Sequence, residues 1–189
     1  MKNIILASAS NARRKILDDL GITYTAIPSN IDESKIQDPD PKKLVQLLSN
    51  AKATEVAKSR KGIVIGADSL IFFNRRIIGK PSSIEEAESL LREFSGNSQI
   101  LYTGVTILDT SSGKTKTFAE ETKIYFRKIT EDEILAYAKD SSILNHAGGY
   151  NIAGKAMKFI RSIEGDYFNF VGLPICRIAE ELKEFDINL

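Results

Sequence analysis

Residues 4–20 constrain this chain more than any other stretch. Ile4, Ile5 and Leu6 form an apolar run that breaks at two hydroxyls, Ser8 and Ser10, and at an arginine pair, Arg13 and Arg14. Ile16, Leu17 and Leu20 then recur at helical spacing. That order predicts strand, tight turn, helix. Such a turn presents backbone N–H groups without partners, and the positive end of the helix dipole points at whatever occupies it. Serine hydroxyls and guanidinium forks there suit a phosphate. The same residues also suit an N-capped surface helix with solvated arginines, and the segment alone does not choose between the two.

The length of 189 residues accommodates one domain, or two closely packed lobes. A net charge of +1 argues against broad nucleic-acid binding, which needs a basic surface, but leaves room for a local basic pocket. A single cysteine, Cys176, excludes an internal disulfide and a multi-cysteine metal site. No stretch approaches the ~20 apolar residues that span a bilayer, so no membrane association is expected. The first apolar run is too short for a signal peptide, which makes the cytoplasm the expected compartment.

Strands are predicted over 3–7, 22–28, 62–67, 69–73, 99–108 and about 115–127. Ser111-Ser112-Gly113 between the last two is a hairpin signal, so part of the sheet should be antiparallel. Asp40-Pro41 opens a helix whose apolar stripe is Leu44, Leu47, Leu48 and Ala51. Ser83 with Glu86 and Thr130 with Glu133 are capping boxes, and Gly96 stops the first of these two helices. Pro174 opens the last helix, with Ile178, Ala179 and Leu182 inward. Helices and strands mix throughout, so the class is α/β with a mixed sheet.

Asp68 is the best-placed carboxylate. It interrupts the apolar run IVIGADSLIFF, and Gly66 and Ala67 before it allow another group to approach closely. A charge inside a buried strand is costly without partners, so Asp68 is expected at a strand end facing a cleft, or in a turn between two strands. Glu33, in IDES, reads by itself as a solvated loop acid. Lys52 falls at the edge of its helix's apolar stripe, where its stem packs and its ammonium reaches a cleft or simply solvent. Lys80 sits in a rigid GKP turn, where meeting a phosphate costs less entropy. Thr103-Gly104 could line the same cleft. His146, the one histidine, is expected to be structural or exposed. Cys176 is expected to be a small buried hydrophobe. Tyr150 could stack on a base; for Tyr167 and Phe168 packing in a core or interface is the better reading. P-loop, GxGxxG, HExxH and GxSxG signatures are all absent.

Ten segments in one order resemble the Maf family of nucleoside triphosphate pyrophosphatases. They are LASASNARRKIL, IDES, NAKA, GADSLI, GKP, SGN, YTGV, YFRKI, HAGGYNIAG and GDYFNFVGLP, and they cover nearly the whole chain. The resemblance implies an elongated mixed sheet flanked by helices, with a central cleft between two lobes, as in inosine triphosphatases. It implies cleavage of a nucleoside triphosphate to monophosphate and pyrophosphate in a house-cleaning role, and a homodimer. Some members are linked to division arrest, so a nucleotide-responsive regulator of septum formation is the competing reading.

Splitting a triphosphate at its α-phosphorus needs cations along the phosphates, usually protein groups with Mg²⁺ or Mn²⁺, and a carboxylate to hold the metal or orient water. The resemblance assigns Asp68 as catalytic base, Glu33 and Asp68 as metal contacts, and Arg13, Lys52 and Lys80 as the cations. Ser8 and Ser10 would donate to the phosphates, and Arg14 would contact phosphate or merely flank Arg13. Members acting on dTTP and UTP usually carry SPRR, Thr after GAD, and Gln in AYGIQG. The corresponding residues here, Ala12, Ser69 and Ala153, are all small. That implies a roomier or differently selective pocket, while AGGYNI leans toward the dTTP/UTP branch.

Overall fold

The computed structural model describes residues 2–152 and 154–189. Ala153, one of the three expected selector positions, lies outside the described residues. Seven strands form one mixed sheet: β1 (Ile4–Ala7), β2 (Tyr24–Ala26), β3 (Ile63–Phe73), β4 (Arg76–Ile78), β5 (Ser98–Asp109), β6 (Thr115–Phe126) and β7 (Ile160–Gly165). The order is β2-β1-β3-β5-β6-β7, with β4 paired to β3. β1 runs parallel to both neighbours, and every other pairing is antiparallel. The α/β mixed-sheet expectation therefore holds. So does the hairpin: the Asp109 carboxylate accepts from Ser111 N–H at 2.8 Å and from its hydroxyl at 2.6 Å, closing the turn between β5 and β6.

Six helices accompany the sheet among the described residues: α1 (Asn11–Asp19), α2 (Pro41–Ala57), α3 (Ile84–Phe94), α4 (Glu131–Ala138), α5 (Tyr167–Val171) and α6 (Ile175–Leu182). Their starts follow side-chain chemistry. Asp40 accepts from Lys42 N–H at 2.9 Å, with Pro41 in the first turn of α2. Thr130 and Glu133 form both arms of a capping box. At Ser83 the box is half made: Ser83 accepts from Glu86 N–H at 3.2 Å, but the Glu86 carboxylate turns to Ser82 N–H at 2.7 Å. No described helix is long and apolar enough to cross a membrane.

Several segments differ from expectation. The strands expected at 62–67 and 69–73 are a single strand, β3. Asp68 is thus mid-strand rather than at a strand end or in a turn. Three short elements carry no strong sequence signal: β4 has three residues, β7 is a half-exposed edge strand, and α5 is five residues long. The buried face of α2 is Val45, Leu48, Ser49, Lys52, Ala53 and Val56. Leu44 and Ala51 are only half-buried, and Leu47 is 41% exposed.

Backbone approach decides which face of α2 is buried. A methyl group on Gly66 of β3 would sit 2.3 Å from Ser49 O, and one on Gly104 of β5 would sit 2.1 Å from Val45 O. These two glycines let α2 lie directly on sheet backbone, and the residues flanking the contact are the ones that become buried. Ser49 completes it by sharing a 3.0 Å hydrogen bond with Thr106.

The opposite face of β3 carries two apolar cores. Ile63, Ile65 and Ala67 pack with Leu6, Leu17, Ile107, Leu173 and Ile178. Ile71 and Phe73 pack with Leu91, Phe94, Phe126 and Phe159. Strand alternation puts Ser69 on this same face, at the seam between them. A Gly104→Ala variant should lose about 1–3 kcal/mol of stability in urea unfolding, because the added carbon overpacks against backbone. Gly79→Ala, where an added carbon meets nothing within 4 Å, should stay near wild type.

Candidate active site

β5 covers one edge of β3 continuously from Ile63 to Phe72. On the other edge, β1 pairs with Ile63–Gly66 and β4 pairs with Ile71–Phe73. Between them, positions 67–70 have no strand partner on that edge. Backbone groups there must find other partners, and Arg13, Lys52, Asp68 and Ser69 meet at this gap.

Lys52 is the centre of the charged group. Its ammonium donates to Asp68 Oδ1 at 2.6 Å and pairs with Glu33 Oε1 at 2.8 Å. Lys52 and Asp68 side chains are only 11% and 14% exposed, whereas Glu33 is 55% exposed. Lys52 therefore lies in the middle of the buried face of α2, and its expected place at the stripe's edge is corrected. Its charge is tolerable there because Asp68, directly beneath it on β3, neutralises it. Glu33 arrives from the short turn Glu33–Lys35, whose start is capped by Asp32 accepting from Ser34 N–H at 3.2 Å. Asp68 Oδ2 accepts no hydrogen bond among the described residues.

Arg13 is held more tightly than a free phosphate clamp. Nε donates to Gly172 O at 2.8 Å, NH1 to Ala67 O at 2.8 Å and to Ser8 Oγ at 3.1 Å, and NH2 to Ser69 Oγ at 2.9 Å. Four of the five guanidinium N–H groups are thereby engaged. Burial lowers its pKa; the charges of Asp68 and Glu33 act in the opposite direction. Arg13 thus fills the gap in the β3 edge by bonding the free Ala67 carbonyl, and it ties α1 to β3 and to the loop after α5.

Ser8 and Ser10 spend their oxygens locally. Ser8 accepts from Arg13 and from Ser10 N–H at 3.2 Å, and Ser10 caps α1 by accepting from Arg13 N–H at 3.4 Å. Ser69 shares a 2.9 Å hydrogen bond with Thr103. Ala12 lines a cavity of about 580 Å³ together with Ser10, Arg13, Ser69, Leu101, His146, Ile152 and Phe170, among others. Glu33, Lys52, Asp68 and Lys80 are not among its lining residues, so the charged group adjoins the cavity at Arg13 and Ser69 rather than forming its wall. Lys80 is exposed, makes no ion pair among the described residues, and acts electrostatically on His146. Arg14 is half-buried; its Nε is enclosed without a hydrogen-bond partner.

Other expectations change. Cys176 is exposed, because it falls on the outer side of α6 while Ile175, Ile178 and Leu182 face in. Tyr150 packs against Phe94 and Phe126, with its hydroxyl accepting from Gln99, and it also lines the cavity. Tyr167 is 60% exposed and Phe168 is also exposed, so neither belongs to a core. His146 is half-buried on the cavity wall. Its place in the matched HAGGYNIAG stretch was the signal that could have marked it.

No group of three or more His, Cys, Asp and Glu residues forms a metal cluster among the described residues. The Lys52 ammonium occupies the space between Glu33 Oε1 and Asp68 Oδ1, so a divalent cation would take their remaining oxygens, the one or two carboxylates such an ion needs.

A mixed α/β sheet whose strand β3 lacks a partner over positions 67–70, with charged residues gathered there beside a cavity, defines the class: an α/β protein with a charged site at the sheet. Residues 3–185 match the model of the Maf-like protein family, and the chain belongs to that family. It is 42% identical over 192 residues to a dTTP/UTP pyrophosphatase of Alkaliphilus metalliredigens, covering 100% of both chains. It is 38% identical over 190 residues to the dTTP/UTP pyrophosphatase of Pelotomaculum thermopropionicum, again covering 100% of both. Among solved structures, the nucleoside-triphosphatase / dITP/XTP pyrophosphatase of Mycobacterium abscessus matches 67% of this chain and 75% of its own, at 12% identity and a TM-score of 0.41.

Arg13→Lys should lower stability by about 2 kcal/mol in urea unfolding, since one ammonium cannot replace a fork serving Gly172, Ala67, Ser8 and Ser69. Arg14→Lys should change stability by less than about 0.5 kcal/mol.

Proposed function

We propose that this chain hydrolyses nucleoside triphosphates to the nucleoside monophosphate and pyrophosphate, with dTTP and UTP as the substrates to which its relatives' names point. The observation that carries the reading is Lys52 bridging Glu33 and Asp68 at the open stretch of β3, beside a cavity lined by Arg13 and Ser69. Full-length likeness to proteins named dTTP/UTP pyrophosphatase supports it.

In this reading the cavity takes the nucleoside together with the start of its triphosphate, which runs along Ser10 and Arg13 toward Lys52. Lys80 approaches from the turn after β4. Lys52 holds Asp68 through Oδ1, and the Asp68 carboxylate orients the attacking water and takes its proton. That water attacks the α-phosphorus, its oxygen bonds to phosphorus, and the bond to the α,β-bridging oxygen breaks with its electron pair leaving on pyrophosphate. Glu33 and Asp68 would hold Mg²⁺ or Mn²⁺, which, when bound, supplies positive charge against the phosphate oxygens. The remaining N–H of Arg13 is available to a phosphate. Ala12 and Ser69 on the cavity wall are small, which leaves base selection to contacts other than long side chains at those positions.

Purified protein with Mn²⁺ should release monophosphate and pyrophosphate in equal amounts from a panel that includes dTTP and UTP. Orthophosphate as the product, or no turnover of any nucleotide, overturns the reading. Asp68→Asn should lower kcat by about 10²-fold or more while nucleotide affinity holds. A regulator acting by binding alone would keep its effect in that variant; no observation of the site favours this second reading.

A further inference from the structure

We propose that His146 is a phosphate-facing binding residue that takes up a proton as the triphosphate enters, so that substrate binding and imidazole protonation are coupled. This rests on the proposed function and adds a residue and a pH dependence to it.

His146 lines the cavity that also receives Ser10, Asn11 and Arg13 from the start of α1. Its loop is tied to the GKP turn by Gly148 N–H donating to Gly79 O at 2.9 Å, which brings it beside Lys80. The imidazole makes no hydrogen bond among the described residues. Charged groups surround it from each neighbouring element. Lys80 follows β4. Asp140 starts the turn Ser141–Asn145 and pairs with Lys155 at 3.7 Å. Arg13 and Lys15 share the cavity from α1, Lys15 being held by Asp19 at 2.9 Å.

With no anion present, burial and then Lys80 push the imidazole pKa below its ordinary value, against a weaker pull from Asp140. Both effects bias the side chain toward its neutral form. A bound triphosphate reverses the sign of the local field and favours the imidazolium. By linkage, the His146 contribution to affinity must strengthen as pH falls from above the bound-state pKa to below the free-state pKa, and must be level outside that window.

His146 is the single histidine in the sequence, so its Hε1 proton gives one imidazole signal that no other histidine overlaps. The experiment titrates this signal from about pH 5 to about pH 9. It does so with and without a saturating nucleoside triphosphate analogue carrying a methylene group in place of the α,β-bridging oxygen. The expected result is a midpoint at least about one unit higher in the complex, with Kd tightening about tenfold across the window. The terminal phosphate itself titrates near pH 6 and weakens binding as it protonates, so His146→Gln supplies the baseline, which should lack the tightening toward low pH seen in the wild type. Equal midpoints in the free and bound protein, or equal Kd slopes in wild type and variant, overturn the proposal. Should the variant not fold, the wild-type midpoints decide alone. An analogue that shifts no resonance of the protein overturns the proposed function itself, and is thereby distinguished from an analogue that binds and leaves His146 unmoved.

Discussion

The ammonium of Lys52 lies between two carboxylates because helix α2 rests on bare backbone. With side chains at Gly66 and Gly104, the helix would ride away from the sheet and Lys52 Nζ would lose its 2.6 Å contact with Asp68. The pair would then lose the close, largely buried geometry that offsets its desolvation. The close approach, the buried pair and the open stretch of β3 are one construction. Asp68 can stand in mid-strand only because Lys52 arrives from above, and Lys52 can be buried only because Asp68 is there.

Arg13 solves a complementary problem on the other side of the sheet. Where β1 ends and β4 has not begun, β3 offers a carbonyl with no strand to receive it. The guanidinium takes Ala67 O and reaches on to Gly172 O and Ser69. It therefore joins the start of α1, the central strand and the loop before α6 at the seam of the two apolar cores. Its charge is held in place before any ligand arrives, which favours preorganised recognition of an anion. Charge and space are divided between the two faces: Lys52, Asp68 and Glu33 form a compact charged group, and the cavity opens beside it through Arg13 and Ser69. A long ligand with a charged tail and an uncharged head matches that division.

Much of this was legible before the fold was known. The strand–turn–helix at the N-terminus, the caps at Asp40 and Thr130, the hairpin at Ser111-Ser112-Gly113 and the mixed α/β class follow from local chemistry. Asp68 stood out because a carboxylate in IVIGADSLIFF needs a reason. The errors share one cause. Gly66-Ala67-Asp68-Ser69 resembles a chain break when read locally, yet its small residues are there to accept a helix from elsewhere. The stripe chosen for α2 followed the large aliphatic residues, whereas the buried face was set by contact with Gly66 and Gly104. Cys176 was assigned inward by residue type, and the rotation of α6 put it outside. Lys80, read with the other cations, is exposed and acts electrostatically on His146.

The chain's sequence by itself determined the element types, their caps, the family to which it belongs and the residues worth watching, because those depend on neighbours a few positions apart. Only the tertiary structure decided that Lys52 and Asp68 neutralise one another, that Arg13 is a strut with four bonds, and that His146 faces the cavity. Those facts come from residues separated by long stretches of chain, and no local pattern encodes the distance at which two backbones will meet.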